Sequence, residues 1–244
     1  MSDVLKNVRI VLVGTLYSGN VGAACRAMAN MGITDLVLAE PKICDGWGEA
    51  ARMAVHADDI LNARRETASL AEAVADCSWV VGTTARGGLY RQHVKTPREH
   101  APELLRLAES GRVALVFGRE DKGLSNEEIG ICTHLIRIPV HPGYISLNLA
   151  QAVLLCCYEL YGALNIYEAP VEKSPPAHAA QKLKLLEMWR EMLLGIGFMK
   201  EDKADHIMQG IQRIFSRGTF SEDDVAIMMG VARQADWAAK KNKG

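Results

Sequence analysis

The 244-residue sequence has almost no net charge and no long uninterrupted apolar run. Its 28 Lys and Arg residues balance 29 Asp and Glu residues, which excludes a uniformly basic nucleic-acid-binding protein but allows a local basic patch. The most apolar long segment, residues 145–160, is interrupted by Asn148, Gln151 and Glu159, so we expect no membrane span and no membrane partner. The apolar stretch Ile10–Val13 is too short for a signal peptide. These absences predict a cytoplasmic chain.

Several short motifs that would define a chemistry are also missing. The 6 cysteines form no Cys-x-x-Cys pair, which predicts reduced and mostly buried thiols. The 7 histidines include no His-x-x-x-His pair, so no metal site is predicted. Gly14, Gly19 and Gly22 do not match G-x-G-x-x-G, and no Walker lysine follows, which disfavours a dinucleotide or nucleotide fold. Ser125 and Ser146 lack the setting of a hydrolase nucleophile.

Short β-branched runs alternate with longer helical patterns over the first 165 or so residues. The alternation predicts an α/β domain with a mainly parallel sheet. The predicted strands are Val8–Val13, Leu36–Ala39, Trp79–Gly82, Val113–Phe117 and Leu135–Val140. The predicted helices are Val21–Met31, Ser69–Ala75, Pro102–Ala108 and Leu147–Leu164. Because ligands of such sheets bind at the carboxyl ends of strands, the glycine-bearing and polar loops that follow the strands are the candidate functional segments.

The character of the sequence changes near Tyr167. We expect a first domain over residues 1–166, a proline-rich linker over residues 167–177 and a helical extension over residues 178–244. Three helical patterns follow the linker, namely His178–Leu194, Asp202–Phe215 and Ser221–Ala238. Ser221 and Asp224 resemble a capping box at the start of the last helix. The extension is too short for a large core, so we expect it to pack on a partner surface.

Residues 86–98 carry a concentration of positive charge in an otherwise neutral chain. Arg86, Arg91, Lys95 and Arg98 occur there beside aromatic Tyr90, with no acidic residue. Either an ordinary solvated loop or an arm that follows RNA phosphates fits this composition, and we favour the arm. Two further arginines also have two possible interpretations each. Arg26 fits a solvated helix position or a phosphate ligand, and Arg119 fits an RNA contact or an ion pair with Glu120.

Taken together, three loops resemble the motifs of the SPOUT RNA 2′-O-ribose methyltransferases. The first motif is Asn20-Val-Gly22-Ala-Ala-Cys-Arg26, and the second begins at Leu115 and runs through Gly118-Arg119-Glu120 to Glu128. The third runs from Ile138 through Tyr144-Ile-Ser146-Leu-Asn148 to Ala152. All three occur in the order and spacing of the TrmJ-type tRNA (cytidine/uridine) 2′-O-methyltransferases, over residues 7–165, and the helical tail resembles the same subfamily.

The resemblance implies a mainly parallel α/β domain with a C-terminal trefoil knot, S-adenosylmethionine as cofactor and an obligate homodimer. It places the cofactor against mostly backbone groups, at Thr83, Thr84, Ala85, Gly118, Ile138, Ile145, Ser146 and Leu147. The RNA-binding residues that we expect are Arg86, Arg91, Lys95, Arg98 and Arg119.

The resemblance also implies a catalytic set of Arg26, Asn20, Glu120, Ser146 and Asn148. The motif-one arginine is often described as the base, but an arginine is effectively never deprotonated in a protein. Our hypothesis is that Arg26 clamps the phosphate beside the target ribose while a phosphate oxygen or water takes the proton. The other four residues then orient the ribose, Arg26 or the knot. One departure stands near them, because Gly14 replaces a glutamate that is common in the family.

The function that these expectations define is methylation of a ribose 2′-OH in tRNA, at the anticodon-loop nucleotide 32. The alternatives are a 2′-O-methyltransferase for another tRNA position or for ribosomal RNA, and a catalytically silent RNA-binding protein of the same fold.

Overall fold

The structure, a computed structural model, describes residues 3–85, 94–170 and 173–241. The chain divides into two units, Met1–Tyr167 and Glu168–Gly244. Arg86, Arg91, Tyr90 and most of the predicted cationic arm lie outside the described residues. No helix among the residues described is both long and apolar enough to cross a membrane.

A six-stranded, fully parallel sheet forms the first unit, in the order β3-β2-β1-β5-β4-β6. Its strands are β1 Val8–Val13, β2 Asp35–Ala39, β3 Arg65–Thr67, β4 Cys77–Thr83, β5 Arg112–Phe117 and β6 His134–Ile136. Its helices are α1 Ser18–Asn30, α2 Gly48–Ala54, α3 Asp58–Ala63, α4 Leu70–Ala73, α5 Pro97–Ala108, α6 Asn126–Ile131 and α7 Leu149–Ala163. The predicted α/β class with a mainly parallel sheet is confirmed.

Both faces of the sheet are buried, which is why the central strands are continuously apolar. Alternate residues of β1 belong to different cores, with Ile10 and Leu12 in one and Val11 and Val13 in the other. The larger core contains the inner faces of α1, α5 and α7, and the smaller one contains α4 and the packed side of α6. The carboxyl edge of the sheet is thereby left to the loops.

Most of the predicted elements are confirmed, with differences of a few residues at their ends. The predicted strand Leu135–Val140 is wrong in extent, because β6 ends at Ile136. Ile136 pairs with Thr83, which is the last residue of β4, so the ladder between the two strands ends there, and Pro139 has no N–H to donate. The sequence patterns also missed the short elements β3, α2, α3 and α6, which contain too few residues to show a period.

A network of ion pairs closes the amino-terminal edge of the sheet. The guanidinium of Arg9, on β1, is only 1% exposed and donates to Asp35 Oδ2 at 2.9 Å. It also donates to both oxygens of Asp76, at 2.5 Å and 3.1 Å. Arg112, at the start of β5, donates to the same Asp76 carboxylate. The hydrogen bond from Arg9 is the main reason why the pKa of Asp76 lies well below its usual range.

All six cysteines are free thiols, as the sequence predicts. Cys25, Cys156 and Cys157 are buried, whereas Cys44 is exposed. Burial raises the pKa of the Cys25 and Cys157 thiols to about 12, so these groups stay protonated at neutral pH.

The second unit is helical, which confirms the expected helical extension. It contains α8 Ala179–Gly195, α9 Glu201–Phe215 and α10 Glu222–Lys241. The indole N–H of Trp189 donates to the Met228 carbonyl at 3.1 Å and joins α8 to α10. The predicted capping box is present: Ser221 N donates to Asp224 Oδ2 at 2.9 Å, and Asp224 N donates to Ser221 Oγ at 3.2 Å.

Candidate active site

A cavity of about 360 Å³ opens at the carboxyl edge of the sheet, within the usual size range of small-molecule sites. Its walls come from the ends of β4 and β5, from the segment after β6 and from the start of α7. All eight residues expected to contact a cofactor line it: Thr83, Thr84, Ala85, Gly118, Ile138, Ile145, Ser146 and Leu147. Segments 60 residues apart in sequence meet here because parallel strands all end at the same edge.

The cavity wall is held in shape by backbone contacts. Thr83 Oγ1 donates to the Val116 carbonyl at 3.1 Å, and Thr84 N donates to the Ile136 carbonyl at 3.0 Å. At Gly118 an added Cβ would lie 2.2 Å from the carbonyl carbon of Gly123, so no other residue fits there without moving the loop. The loop can therefore fold back on itself directly beneath the cavity.

A chain of side-chain hydrogen bonds links the three sequence motifs beside the cavity. Asn20 Nδ2 donates to Glu120 Oε1 at 2.8 Å, and Asn148 Nδ2 donates to Asn20 Oδ1 at 2.9 Å. Glu120 Oε2 accepts a further bond from Leu16 N at 3.1 Å. We call Glu120, Asn20 and Asn148 the amide relay. The nitrogen and the oxygen of the Asn20 amide each have a partner, so its orientation is fixed from both sides, and one N–H and one lone pair remain for a further ligand.

The far end of the amide relay is the first turn of α7. Asn148 is the N-cap residue, and its Oδ1 accepts from Ala150 N at 2.9 Å and from Gln151 N at 3.4 Å. Asn is among the preferred residues at this position, because its side chain satisfies N–H groups that have no partner within the helix. Ser146 and Leu147, which directly precede the cap, line the cavity. The relay therefore positions one wall of the cavity relative to α1.

Arg119 has a structural partner other than the one considered from the sequence. Its guanidinium makes two contacts with the Glu128 carboxylate, at 3.0 Å and 2.9 Å, and none with Glu120. Burial alone would raise the pKa of Glu128, but hydrogen bonds from Arg119 and Ser125 reverse this and lower it. Gly14 makes room for the arginine, since an added Cβ would lie 2.5 Å from Arg119 Nε. Arg119 also lines the cavity.

The remaining predicted residues stand apart from the amide relay. Arg26, on α1, is exposed and makes no ion pair or hydrogen bond within the part of the chain that the structure describes. Lys95 Nζ lies 3.4 Å from Glu103, and Arg98 forms a two-pronged pair with Glu159. Their use as RNA contacts stays a prediction, as does that of Arg86 and Arg91.

Two structural features of this region were not predicted from the sequence. The loop after β2 packs against the loop after β1, where Asp45 Oδ1 accepts from Ser18 N at 3.0 Å. The cavity wall also includes Phe117, Val140 and Ala152. A signal for the first segment exists, since Asp45 lies in the polar stretch that follows a buried strand, where ligand-binding loops of parallel sheets occur. The second set reads as ordinary core residues.

The arrangement is suited to holding two reactants in a fixed orientation. Main-chain groups, small polar residues and apolar side chains form the cavity, and the amide relay stands at its edge. In the described ranges no group of three or more His, Cys, Asp or Glu side chains is arranged to hold a metal ion. Rate enhancement by such a site comes from proximity and orientation.

Comparison with known proteins defines the class first. The chain belongs to the SpoU rRNA methylase family, whose model matches residues 7–158, so it is a methyltransferase. Residues 181–244 match a second model, the C-terminal domain of the tRNA methyltransferase TrmJ. The resemblance indicated by the three motifs and by the tail is thereby confirmed.

Individual proteins similar to this chain include tRNA methyltransferases. The chain is 37% identical to the tRNA (cytidine/uridine/adenosine-2′-O-)-methyltransferase TrmJ of Pseudomonas aeruginosa, covering 97% of this chain and 96% of that protein. The crystal structure of TrmJ from Z. mobilis ZM4 has a TM-score of 0.78 at 31% identity, covering 93% and 98% of the two chains. The SpoU methyltransferase AviRb from Streptomyces viridochromogenes, solved with AdoMet, shares the fold at 20% identity, with a TM-score of 0.51 and coverage of 64% and 60%.

Proposed function

We propose that this protein transfers a methyl group from S-adenosylmethionine to a ribose 2′-OH of tRNA, at nucleotide 32 of the anticodon loop. The observation that carries the proposal is the amide relay, which joins residues of all three motifs at the rim of a cavity of cofactor size. Similarity to TrmJ tRNA 2′-O-methyltransferases over nearly the whole chain supports tRNA as the substrate. The choice of nucleotide 32 rests on the subfamily resemblance.

The cavity fits S-adenosylmethionine in size and in chemistry. Ile138, Ile145 and Leu147 offer apolar surfaces for an adenine ring, and the turn at Gly118 brings main-chain groups to the wall. Asp121 also lines the cavity and supplies a carboxylate for a cationic or hydroxylated part of the ligand. When bound, the cofactor would supply a methyl group attached to a positively charged sulfur. That sulfur leaves as a neutral thioether and needs no activation by the protein.

Arg26 serves this reaction as a phosphate clamp. It is exposed and makes no ion pair among the described residues, so its guanidinium can take two phosphate oxygens at once. A phosphate oxygen or a water molecule then accepts the proton that the 2′-OH loses, because arginine stays protonated. Ser146, at the cavity wall, and the amide relay orient the ribose.

We further infer that the active form is a homodimer. Along α7, Leu154, Leu155 and Tyr158 are exposed at helical spacing on one side, while the other side is buried in the core. A helix that is apolar all round is normally covered on all sides. The family resemblance implies that a second copy of the chain covers this face of α7. The same resemblance implies the trefoil knot, and a cytoplasmic location is part of the proposal.

The direct test is methyl transfer from labelled S-adenosylmethionine to unmodified tRNA transcripts, followed by nuclease mapping of the labelled nucleotide. A 2′-O-methyl group at nucleotide 32 is the expected result. Label at another tRNA position would keep the chemistry and overturn the site. Cofactor binding without label on tRNA would point instead to ribosomal RNA or to a silent RNA-binding role.

Two substitutions test the role of Arg26. Arg26→Ala is expected to reduce methyl transfer by about 100-fold or more while leaving cofactor affinity unchanged, since loss of precise positioning has costs of this order. Arg26→Lys keeps the charge and loses the two-pronged geometry, so its residual activity measures how much of the clamp depends on the planar group. Unchanged turnover in Arg26→Ala, measured in the same assay, would exclude the phosphate clamp.

A further inference from the structure

An exposed tyrosine, Tyr17, lies three residues before Asn20 of the amide relay and belongs to none of the three motifs. Tyr17 immediately precedes α1, and its side chain is 51% exposed. Its carbonyl accepts a hydrogen bond from Asn20 N at 3.1 Å, so the main chain of Tyr17 lies one helical turn from that of Asn20, the central member of the relay.

Tyr17 occupies a position that sequence preferences assign to another kind of residue. It is the N-cap of α1, where Ser, Thr, Asp and Asn are favoured because their side chains accept hydrogen bonds from the first turn. The Tyr17 side chain makes no such bond. Asp45 supplies one from a different loop, by accepting from Ser18 N at 3.0 Å. Residue 17 therefore provides no side-chain cap for α1, and the carboxylate of Asp45 takes over part of this role from another loop. Such departures from local preference are expected at functional sites.

The backbone around Tyr17 is held on both sides. Leu16 N donates to Glu120 Oε2 at 3.1 Å, and the Leu16 carbonyl accepts from Cys44 N at 3.0 Å. The Thr15 carbonyl accepts from Lys42 N at 2.9 Å. The ring is therefore presented to solvent from a fixed main chain, which lowers the entropy that its binding to a ligand would cost.

Glu120 connects the main chain before Tyr17 to the cavity. One carboxylate oxygen binds the residue before Tyr17, the other binds Asn20, and Glu120 itself lines the cavity. A ribose held at the relay carries its base with it, and that base must lie within a few ångströms of the sugar. An exposed aromatic face is suited to a flipped-out base, because stacking tolerates any of the bases.

We propose that Tyr17 is the stacking surface for the base of the methylated nucleotide. This inference rests on the proposed function, since it requires RNA whose ribose is held at the amide relay. It holds the base by stacking at residue 17 in place of hydrogen bonds to the base edges, and it therefore predicts that more than one base is accepted.

The test is a double-mutant cycle between the protein and the RNA. Once the methylated nucleotide is mapped, Tyr17→Ala and the wild type are compared on tRNA and on the same tRNA with an abasic ribose there, which keeps the 2′-OH. Tyr17→Ala is expected to raise KM for intact tRNA by about 5- to 150-fold, the range that base stacking on aromatic residues supports. On the abasic tRNA the two proteins are expected to agree within about 2-fold.

Two further variants keep the result interpretable. Tyr17→Phe retains the ring and is expected to behave like the wild type, whereas Tyr17→Leu retains apolar bulk without an aromatic face and is expected to resemble Tyr17→Ala. Tyr167→Ala removes another exposed tyrosine and serves as the matched control. Thermal melts of each variant establish that the fold is intact.

The outcomes separate this inference from the proposed function. Equal penalties for Tyr17→Ala on intact and abasic tRNA, or no penalty on either, would overturn the stacking assignment alone. A wild-type protein that binds S-adenosylmethionine but methylates no tRNA would overturn the proposed function.

Discussion

Glu120 illustrates how a single residue can combine two roles at the site. Its carboxylate accepts one hydrogen bond at each oxygen, from Leu16 N and from Asn20 Nδ2. Both partners are donors, so the residue at this position has to be an acceptor at both ends. Only an ionised carboxylate among the side chains of this length satisfies that requirement. Glu120 therefore fixes the loop before α1 and the orientation of Asn20 together.

Glu120→Gln is expected to disrupt the amide relay with little change in side-chain volume. The new amide group would face either Leu16 N–H or the Asn20 amide, and two opposed donors cannot form a hydrogen bond. We expect methyl transfer to fall by about 10- to 100-fold and stability to fall by about 1–3 kcal/mol. Glu109→Gln, at an exposed site that follows α5, is the matched control. Wild-type turnover in Glu120→Gln would contradict the role assigned to the relay.

At the scale of single elements, the N-cap residue of α7, Asn148, links the first turn of that helix to α1 beside the cavity wall. Asn148 accepts hydrogen bonds from the first turn of the helix and donates one to Asn20. These two functions use different atoms of the same amide, so substitutions can separate them.

Asn148→Ala removes both functions, and we expect it to lower stability by about 0.5–2 kcal/mol as well as activity. Asn148→Asp keeps the capping oxygen but sets a second oxygen against Asn20 Oδ1. It is expected to retain more stability than Asn148→Ala and still to lose methyl transfer. Ser69→Ala removes the cap of α4 and should reduce stability without reducing activity. Thermal melts and transfer assays measure the two effects, and full activity in Asn148→Asp would refute the proposed link to Asn20.

The ion-pair network at the starts of β1, β2 and β5 makes stability depend on pH. Because Arg9 and Arg112 bind the Asp76 carboxylate, the folded state holds the pKa of Asp76 below its unfolded value of about 4. Its stabilising contribution is therefore complete above about pH 4 and is lost as the pH falls through the folded-state pKa.

Asp76→Asn is expected to lower the free energy of unfolding by about 1–3 kcal/mol at pH 7. The gap between variant and wild type should shrink as the pH is lowered below about 4, because the Asp76 carboxylate of the unfolded wild type then takes up a proton that the ion pairs of the folded state exclude. Denaturant titrations over this pH range measure the gap. Asp59→Asn, at an exposed position in α3, should show no such pH-dependent gap. A constant gap at all pH values would show that Asp76 does not contribute through its charge.

At the scale of the whole molecule, the proposed dimer depends on the exposed face of α7. Replacing Leu155 by Glu places a charge in the middle of the apolar stripe formed with Leu154 and Tyr158, of which Tyr158 is 54% exposed. We expect Leu155→Glu to shift the protein from dimer to monomer in sedimentation velocity, because burying an unpaired charge is strongly unfavourable. Leu183→Glu, at another exposed leucine, is the control. A dimer that survives Leu155→Glu would show that the subunits meet elsewhere.

The two edges of the sheet in the first unit carry different kinds of side-chain interaction. The amino-terminal edge holds the network centred on Arg9, and the carboxyl edge holds the cavity and the amide relay. Parallel strands make this division possible, since every loop that follows a strand emerges at one edge.

The sequence alone determined the class of fold, the helical tail and many of the residues that line the cavity. The short, largely β-branched run Val8–Val13 predicts a strand that is buried on both faces, and the structure confirms it. The three motifs were sufficient to indicate the family. They lie in polar loops that follow such strands, where functional residues are most often found. Local capping was also readable, as at Ser221 and Asp224.

Only the tertiary structure decided which polar side chains pair. Arg119 pairs with Glu128 and not with its neighbour Glu120, whose carboxylate instead joins residues 16 and 20. It likewise placed Asp45 behind the start of α1 and left the Tyr17 ring facing solvent. The physical reason is that periodicity reports burial along one element, whereas a hydrogen bond depends on where two distant elements bring a donor and an acceptor within about 3 Å.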